Sequence, residues 1–373
     1  MMVQKSVIDE LEEAIANKEI GRRAESLRRV TDLFVSGPAR YSDEQIELFD
    51  MVMILLAKEI ETSARATFGH RMATISNAPP KIIRALALDD AIEVAGPILT
   101  HSSQLDEATL IESARTKSQN HLLAISRRTS LAEALTDVLV ERGNQEVAHS
   151  TAENPGAKFS EFGYSKLVQR SEDDAELAVR VWSRPEIPRQ NLLKLFHDAS
   201  EAVRLKLEAS DRRKAGLLRA MVAQASNQFQ TEARERSAAF AAAQAHVQSL
   251  YDSGALTDTQ LESFARAGKF DETTIALSMM CDLSIGLVER AMVEERSEQI
   301  LVLAKAIGLS WDTTRALLLT QAETKGSSTY ELDQCRLKFA KLKAETAKMA
   351  TQFYRLRERA AAPATAPVAA EAG

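Results

Sequence analysis

Six histidines could supply metal ligands or general bases: His70, His101, His121, His149, His197 and His246. A zinc site needs such side chains at spacings that converge on one point, as in His-Glu-x-x-His or paired Cys-x-x-Cys. No two of these histidines stand four residues apart, and neither Cys281 nor Cys335 accompanies one. Acid pairs are the next candidates. Asp89-Asp90, Asp173-Asp174 and Glu294-Glu295 could share a proton in acid–base work, but neighbours on a helix point in different directions. The first two pairs head helical patterns, where carboxylates accept from free amides and offset the helix dipole. No Gly-x-Ser-x-Gly, Gly-x-Gly-x-x-Gly or Cys–His pattern occurs. The sequence predicts no catalytic, cofactor-binding or metal residue, and a protein that is not an enzyme.

Asn154-Pro155-Gly156 invites a reading as a phosphate loop or a ligand lid. A phosphate loop would need Gly-Lys-Ser/Thr opening a helix after a strand, and no strand pattern precedes it. Asn tolerates a left-handed backbone, Pro ends a helix and Gly supplies a turn, so the stretch reads as a hinge between two helices.

Two basic clusters, Arg127-Arg128 and Arg212-Arg213-Lys214, could touch phosphate, but Glu133, Glu208 and Asp211 interrupt them. Residues 299–320 resemble a helix-turn-helix, with Ala304, Gly308 and Leu309 at the turn. Its second helix carries Arg315 as its only base and Thr314 where an aliphatic residue belongs, and it lacks the Asn, Gln and Arg that read base edges. A DNA-associated regulator using this segment or a basic groove is the alternative reading. The leading one is a non-enzymatic scaffold or regulatory adaptor that binds another protein. Trp182 and Arg184, expected to be exposed near a repeat turn, and Trp311 are residue types that anchor interfaces. Either tryptophan fits a core position equally well.

The elements that must position these residues are helices. The 373-residue chain is 45% hydrophobic but only 5% aromatic, with 14 Gly and 9 Pro, a balance that favours helix over sheet. Its formal charge of -6 disfavours a broad nucleic-acid surface. Apolar residues recur in register: Val94, Leu135 and Leu177, then Ile98, Leu139 and Val181, then Leu99, Val140 and Trp182. The step of about 41–43 residues matches helix-pair solenoids, whose units bury their apolar faces by stacking and leave a long concave surface. A helix-period pattern without Pro then runs to about Asp252 and predicts one long helix or two near-collinear ones. Shorter capped helices follow, beginning near Thr257, Asp271, Ser284, Ser297 and Ser310, with Gly254, Gly268 and Gly308 at helix ends.

From Thr329 to Ala361, Leu332, Cys335, Phe339, Leu342, Thr346, Met349, Phe353, Leu356 and Ala360 alternate steps of three and four. This is a heptad seam, suited to docking on neighbouring helices or to forming a homodimer. The closing Ala/Pro-rich stretch, 362–373, reads as disordered. The longest apolar run, Met51–Ala57, is far short of the ~20 residues that span a bilayer. With two isolated cysteines the chain reads as cytoplasmic.

One stretch carries a family resemblance: LVERGNQEVAHSTAENPGAKFSEFGYSKLVQRSEDDAELAVRVWSRPEIP, from Leu139. Its Gly143-Asn144, Asn154-x-Gly156-Ala157, Asp174-x-x-Leu177 and Arg184-x-x-Ile187-Pro188 resemble an uncharacterised bacterial family, the domain of unknown function twenty-three thirty-six. The likeness extends from about Leu27 to the C-terminal helix. It implies HEAT-like helical repeats and no established activity, ligand or catalytic residue. The reading is therefore all-α: a HEAT-like helical-repeat solenoid over 1–200, a long helix over 201–252, and a smaller C-terminal helical domain over 253–361.

Overall fold

Ser42, Asp106, Asn144, Ser160 and Asp174 each stand one residue before a helix, and their side chains accept from a free amide of its first turn. Such caps let helices of about ten residues follow one another through very short connections. The structure, a computed structural model, describes residues 20–36, 41–58, 60–210, 215–294, 297–322 and 329–361. The acidic N-terminal stretch, the Arg212–Lys214 cluster, Glu295 and the 362–373 tail lie outside the described residues. Within them the chain is all-α, with one isolated parallel bridge between Leu131 and Ala157. It forms two compact units, Met1–Arg184 and Pro185–Gly373.

The first unit holds α1 (Ile20–Ser36), α2 (Asp43–Ala57), α3 (Thr62–Met72), α4 (Pro80–Ala87), α5 (Ile92–His101) and α6 (Glu107–Thr116). It continues with α7 (Gln119–Ser126), α8 (Glu133–Arg142), α9 (Gln145–Glu153), α10 (Glu161–Arg170) and α11 (Ala175–Trp182). Each helix packs on the one two places along. The odd-numbered helices from α1 to α11 make one row and the even-numbered helices from α2 to α10 a second, with the core between them.

The period of this packing is shorter than the sequence step suggests. Successive row members α5, α7 and α9 begin at Ile92, Gln119 and Gln145, 26–27 residues apart. The register of 41–43 residues joins α5, α8 and α11, which is three helices, and it crosses from row to row. Its first two slots are buried as expected. Helices of similar length that each bury an i, i+4 pair align after a shift of three as well as after two.

The second unit begins at Pro185, earlier than residue 200, because Leu193 already packs into the second core. It holds α12 (Arg189–Ser210), α13 (Ala215–Glu235), α14 (Ala238–Asp252), α15 (Asp258–Arg266), α16 (Phe270–Cys281) and α17 (Ile285–Val293). α18 (Ser297–Ile307), α19 (Trp311–Ala322), α20 (Thr329–Lys341) and α21 (Ala344–Ala361) complete it.

Two long-helix expectations are corrected here. The stretch to Asp252 is three helices. α12 and α13 lie side by side, with Phe196 stacked on Phe229 at 4.3 Å. α13 ends at Glu235, and Ser237 starts α14 by accepting from the Phe240 amide at 3.1 Å. The heptad helix is also broken, at Leu342-Lys343, into α20 and α21. Thr257, Ser284 and Ser310 cap as expected. Asp271 instead sits inside the first turn of α16, which Lys269 precedes as N-cap. Gly254, Gly268 and Gly308 take the left-handed backbone that closes helices.

Candidate functional site

The Asn154 loop is fastened on every side and is not a hinge. Asn154 Nδ2 donates to the carbonyls of Ser126 and Arg128 at 2.8 and 2.7 Å, and its Oδ1 accepts from the Gly156 amide at 2.8 Å. Leu131 N donates to Gly156 O, and Lys158 N donates to Leu131 O, both at 3.0 Å. A Cβ on Gly156 would lie 1.9 Å from Thr129 O, so only glycine lets the two loops meet. The loop clasps one repeat to the previous one.

Arg184 belongs to the same clasp. It was expected at the surface, but it is only 7% exposed. Its guanidinium donates to Ala152 O (3.1 Å), Asn154 O (2.9 Å) and Ala157 O (2.6 Å), and it stacks over Phe159. The reason is general to this unit. The last carbonyls of a short helix have no partner within it, and a donor from the helix two places on supplies one. Arg128 closes α5 at Leu99 O and Ser102 O, Arg142 closes α6 at Ala114 O, and Asn154 closes α7. Arg170 closes α8 at Val140 O and Gly143 O, and Arg184 closes α9. Burial pushes the Arg128 and Arg170 guanidinium pKa values down, yet arginine keeps its charge, which the negative end of each helix dipole favours. The Arg127-Arg128 cluster is therefore half committed to helix ends.

Asp174 and Asp89, one from each of the first two acid pairs, are held by structural contacts. Asp174 accepts from the Leu177 amide at 3.0 Å and from His149 Nε2 at 2.6 Å. Burial works to raise its carboxyl, and the Leu177 amide, His149 and Gln145 outweigh that and lower it to about 2. Asp89 does not cap α5. It holds Arg65 at 2.6 Å and accepts from the Ala91 amide. His121 is a satisfied core histidine, between Ser118 Oγ (2.8 Å) and Asp89 O (3.0 Å). Among the described residues no group of three His, Cys, Asp or Glu could hold a metal ion. Cys281 is buried, and desolvation pushes its thiol up to about 12 against a nearby Arg355, which disfavours the thiolate.

The remaining candidates stand apart from one another. Trp182 is 40% exposed at the end of α11, beside the exposed Val179. Trp311 is half-buried and packs on Phe339, with ring centroids 5.7 Å apart. α19 buries Thr313, Thr314, Ala316, Leu317, Leu318, Thr320 and Gln321, leaving Asp312 and Arg315 as its exposed residues. Asp312 and Arg315, with the half-buried Trp311 and Leu319, are what the described part of α19 presents to solvent.

Sequence reasoning missed two exposed apolar stripes. On α2, Leu48, Met51 and Leu55 are exposed while Phe49, Val52, Met53 and Leu56 fill the core. On α21, Met349, Phe353 and Leu356 are 62%, 62% and 64% exposed, although they continue the heptad seam whose earlier members Cys335 and Phe339 are buried. The uniform apolar spacing gave no signal for the change of face. A family model described as an uncharacterised protein conserved in bacteria, DUF2336, matches residues 94–352. No curated protein and no solved structure matches the chain.

Proposed function

We propose that this chain, which belongs to the bacterial DUF2336 family, is a non-enzymatic scaffold or regulatory adaptor in the cytoplasm. Its two-row stacking serves as a HEAT-like solenoid whose surface binds another protein. The observation that carries this reading is the α2 stripe. A helix apolar on both faces belongs in an interior, and here one face is open to solvent. Trp182 and Val179 on α11 add a second exposed apolar site in the same unit. The fastened loops support the reading, because a surface held rigid loses little entropy on binding.

The test is capture of a stoichiometric protein partner from bacterial cytosol on tagged protein, after nuclease treatment and at two salt concentrations. The double variant Met51→Asp, Leu55→Asp should lose the partner and keep its melting temperature. Nucleic acid recovered instead, and lost at higher salt, would overturn the reading in favour of a DNA-associated regulator.

The α21 stripe supports self-association as a homodimer through the C-terminal seam. Light scattering on Phe353→Asp should then give half the mass of the parent. An equal mass for the two proteins would mean that the seam joins no copies.

A further inference from the structure

Five helices of the second unit, α12, α13, α17, α18 and α21, surround a cavity of about 450 Å³. That lies within the ~300–1,000 Å³ of small-molecule sites generally. Three arginines from three different helices line it: Arg204 on α12, Arg290 on α17 and Arg357 on α21. Three carboxylates, Glu201, Glu294 and Glu358, line it too, so formal charge alone attracts nothing. What decides the chemistry is which groups are already engaged.

Arg204 is held by Glu201 and by Glu208, the latter at 2.9 Å. Glu358 accepts from the Ser284 hydroxyl and amide at the start of α17. Glu294 likewise has a partner. Arg290 spends one Nη1 proton on Asn227 Oδ1, and its other N–H groups remain. Arg357 is exposed to the cavity and makes no ion pair among the described residues. Tyr354 also lines the space, and Leu287 and Leu303 give it an apolar wall. The carboxylates and Arg204 are committed, whereas Arg357 and most of the Arg290 donors are not.

We infer that this cavity is a binding site for a small organic anion, whose phosphate or carboxylate oxygens are held by Arg290 and Arg357 and whose body lies against Tyr354 and the leucines. Guanidinium forks suit both kinds of oxygen, because each presents parallel N–H donors to a pair of acceptors. The site is independent of the scaffold reading and would give such a protein a small-molecule input.

The experiment uses the full-length protein, with adenosine monophosphate and citrate as probes in titration calorimetry and thermal melts at matched ionic strength. At millimolar concentration at least one probe should bind and raise the melting temperature. Response to adenosine monophosphate alone assigns phosphate chemistry, and response to citrate alone assigns carboxylate chemistry. Arg357→Ala, at an exposed position, should weaken binding at least tenfold with the fold intact, and Arg290→Ala should do the same. Lys348→Ala, exposed on α21 but outside the cavity, should bind as the parent does. The inference is overturned if neither probe binds, or if the arginine variants bind as tightly as Lys348→Ala.

Discussion

Arg170 shows what one side chain does in this molecule. From the end of α10 it reaches back to two carbonyls that close α8, each at 2.8 Å. Removing it strands both acceptors and a helix-end charge interaction, so Arg170→Ala should destabilise by about 2–3 kcal/mol. Arg170→Lys should recover only part of this, because both bonds leave Nη1 of a planar guanidinium, and a more strongly hydrated ammonium costs more to bury at the same place. A denaturant titration checks both; equal midpoints for Lys and Arg would refute the hydration argument. Gly156→Ala should destabilise by ~3 kcal/mol, since a Cβ placed 1.9 Å from Thr129 O forces the two loops apart. Trp182→Ala should be milder than the ~3–5 kcal/mol of a buried tryptophan, because 40% of the residue is already in water. The four short motifs that carry the family likeness become physical here. Gly143 sits against Leu139 O and Val147, Asn144 and Asp174 cap helices, and Asn154, Gly156 and Arg184 build the clasp.

Among the elements, α2 and α21 are the informative ones. Met51 and Met53 are two residues apart on α2, one exposed and one fully buried. Met53→Ala should cost about 2–5 kcal/mol through cavity formation, while Met51→Ala should stay within ~0.5 kcal/mol. Similar losses in a thermal melt would show that the α2 stripe is covered in solution. α21 turns Ala347 and Thr351 to α18, so a small-residue face docks while the larger Met349, Phe353 and Leu356 look outward. A seam of uniform spacing cannot show that split, because the break at Leu342-Lys343 resets the rotation of the second segment.

At the scale of the whole molecule, pH reports on two kinds of carboxyl. The lowered pKa of Asp174 gives stability present above the unfolded value near ~3.9 and lost as pH falls through about 2. In the second unit Glu289 is fully buried between Arg189 and Arg234, and Asp271 accepts from Arg189 at 3.0 Å. Burial pushes both carboxyls up, against the pull of the arginines. Their pH-linked contribution therefore has the opposite sign, present at low pH and lost as pH rises through their folded values. Asp174→Asn should flatten the acid limb of a stability–pH curve between pH values of about 4 and 2, and a limb identical to the parent's would refute the assignment. Glu289→Ala should cost about 3–5 kcal/mol at neutral pH by leaving two arginines short of their partner.

The sequence by itself determined that the chain is helical, where several helices of the second unit start and stop, and which residues of the first two register slots fill the core, because capping and apolar periodicity act within a few residues. It also carried the family, through motifs that fasten loops. Tertiary structure alone decided the two-helix period, the burial of Arg184, the breaks at Arg236-Ser237 and Leu342-Lys343, and which stripes stay open to solvent. Each of these depends on which helix packs against which, and equivalent apolar spacings leave that choice open until the partners are in place.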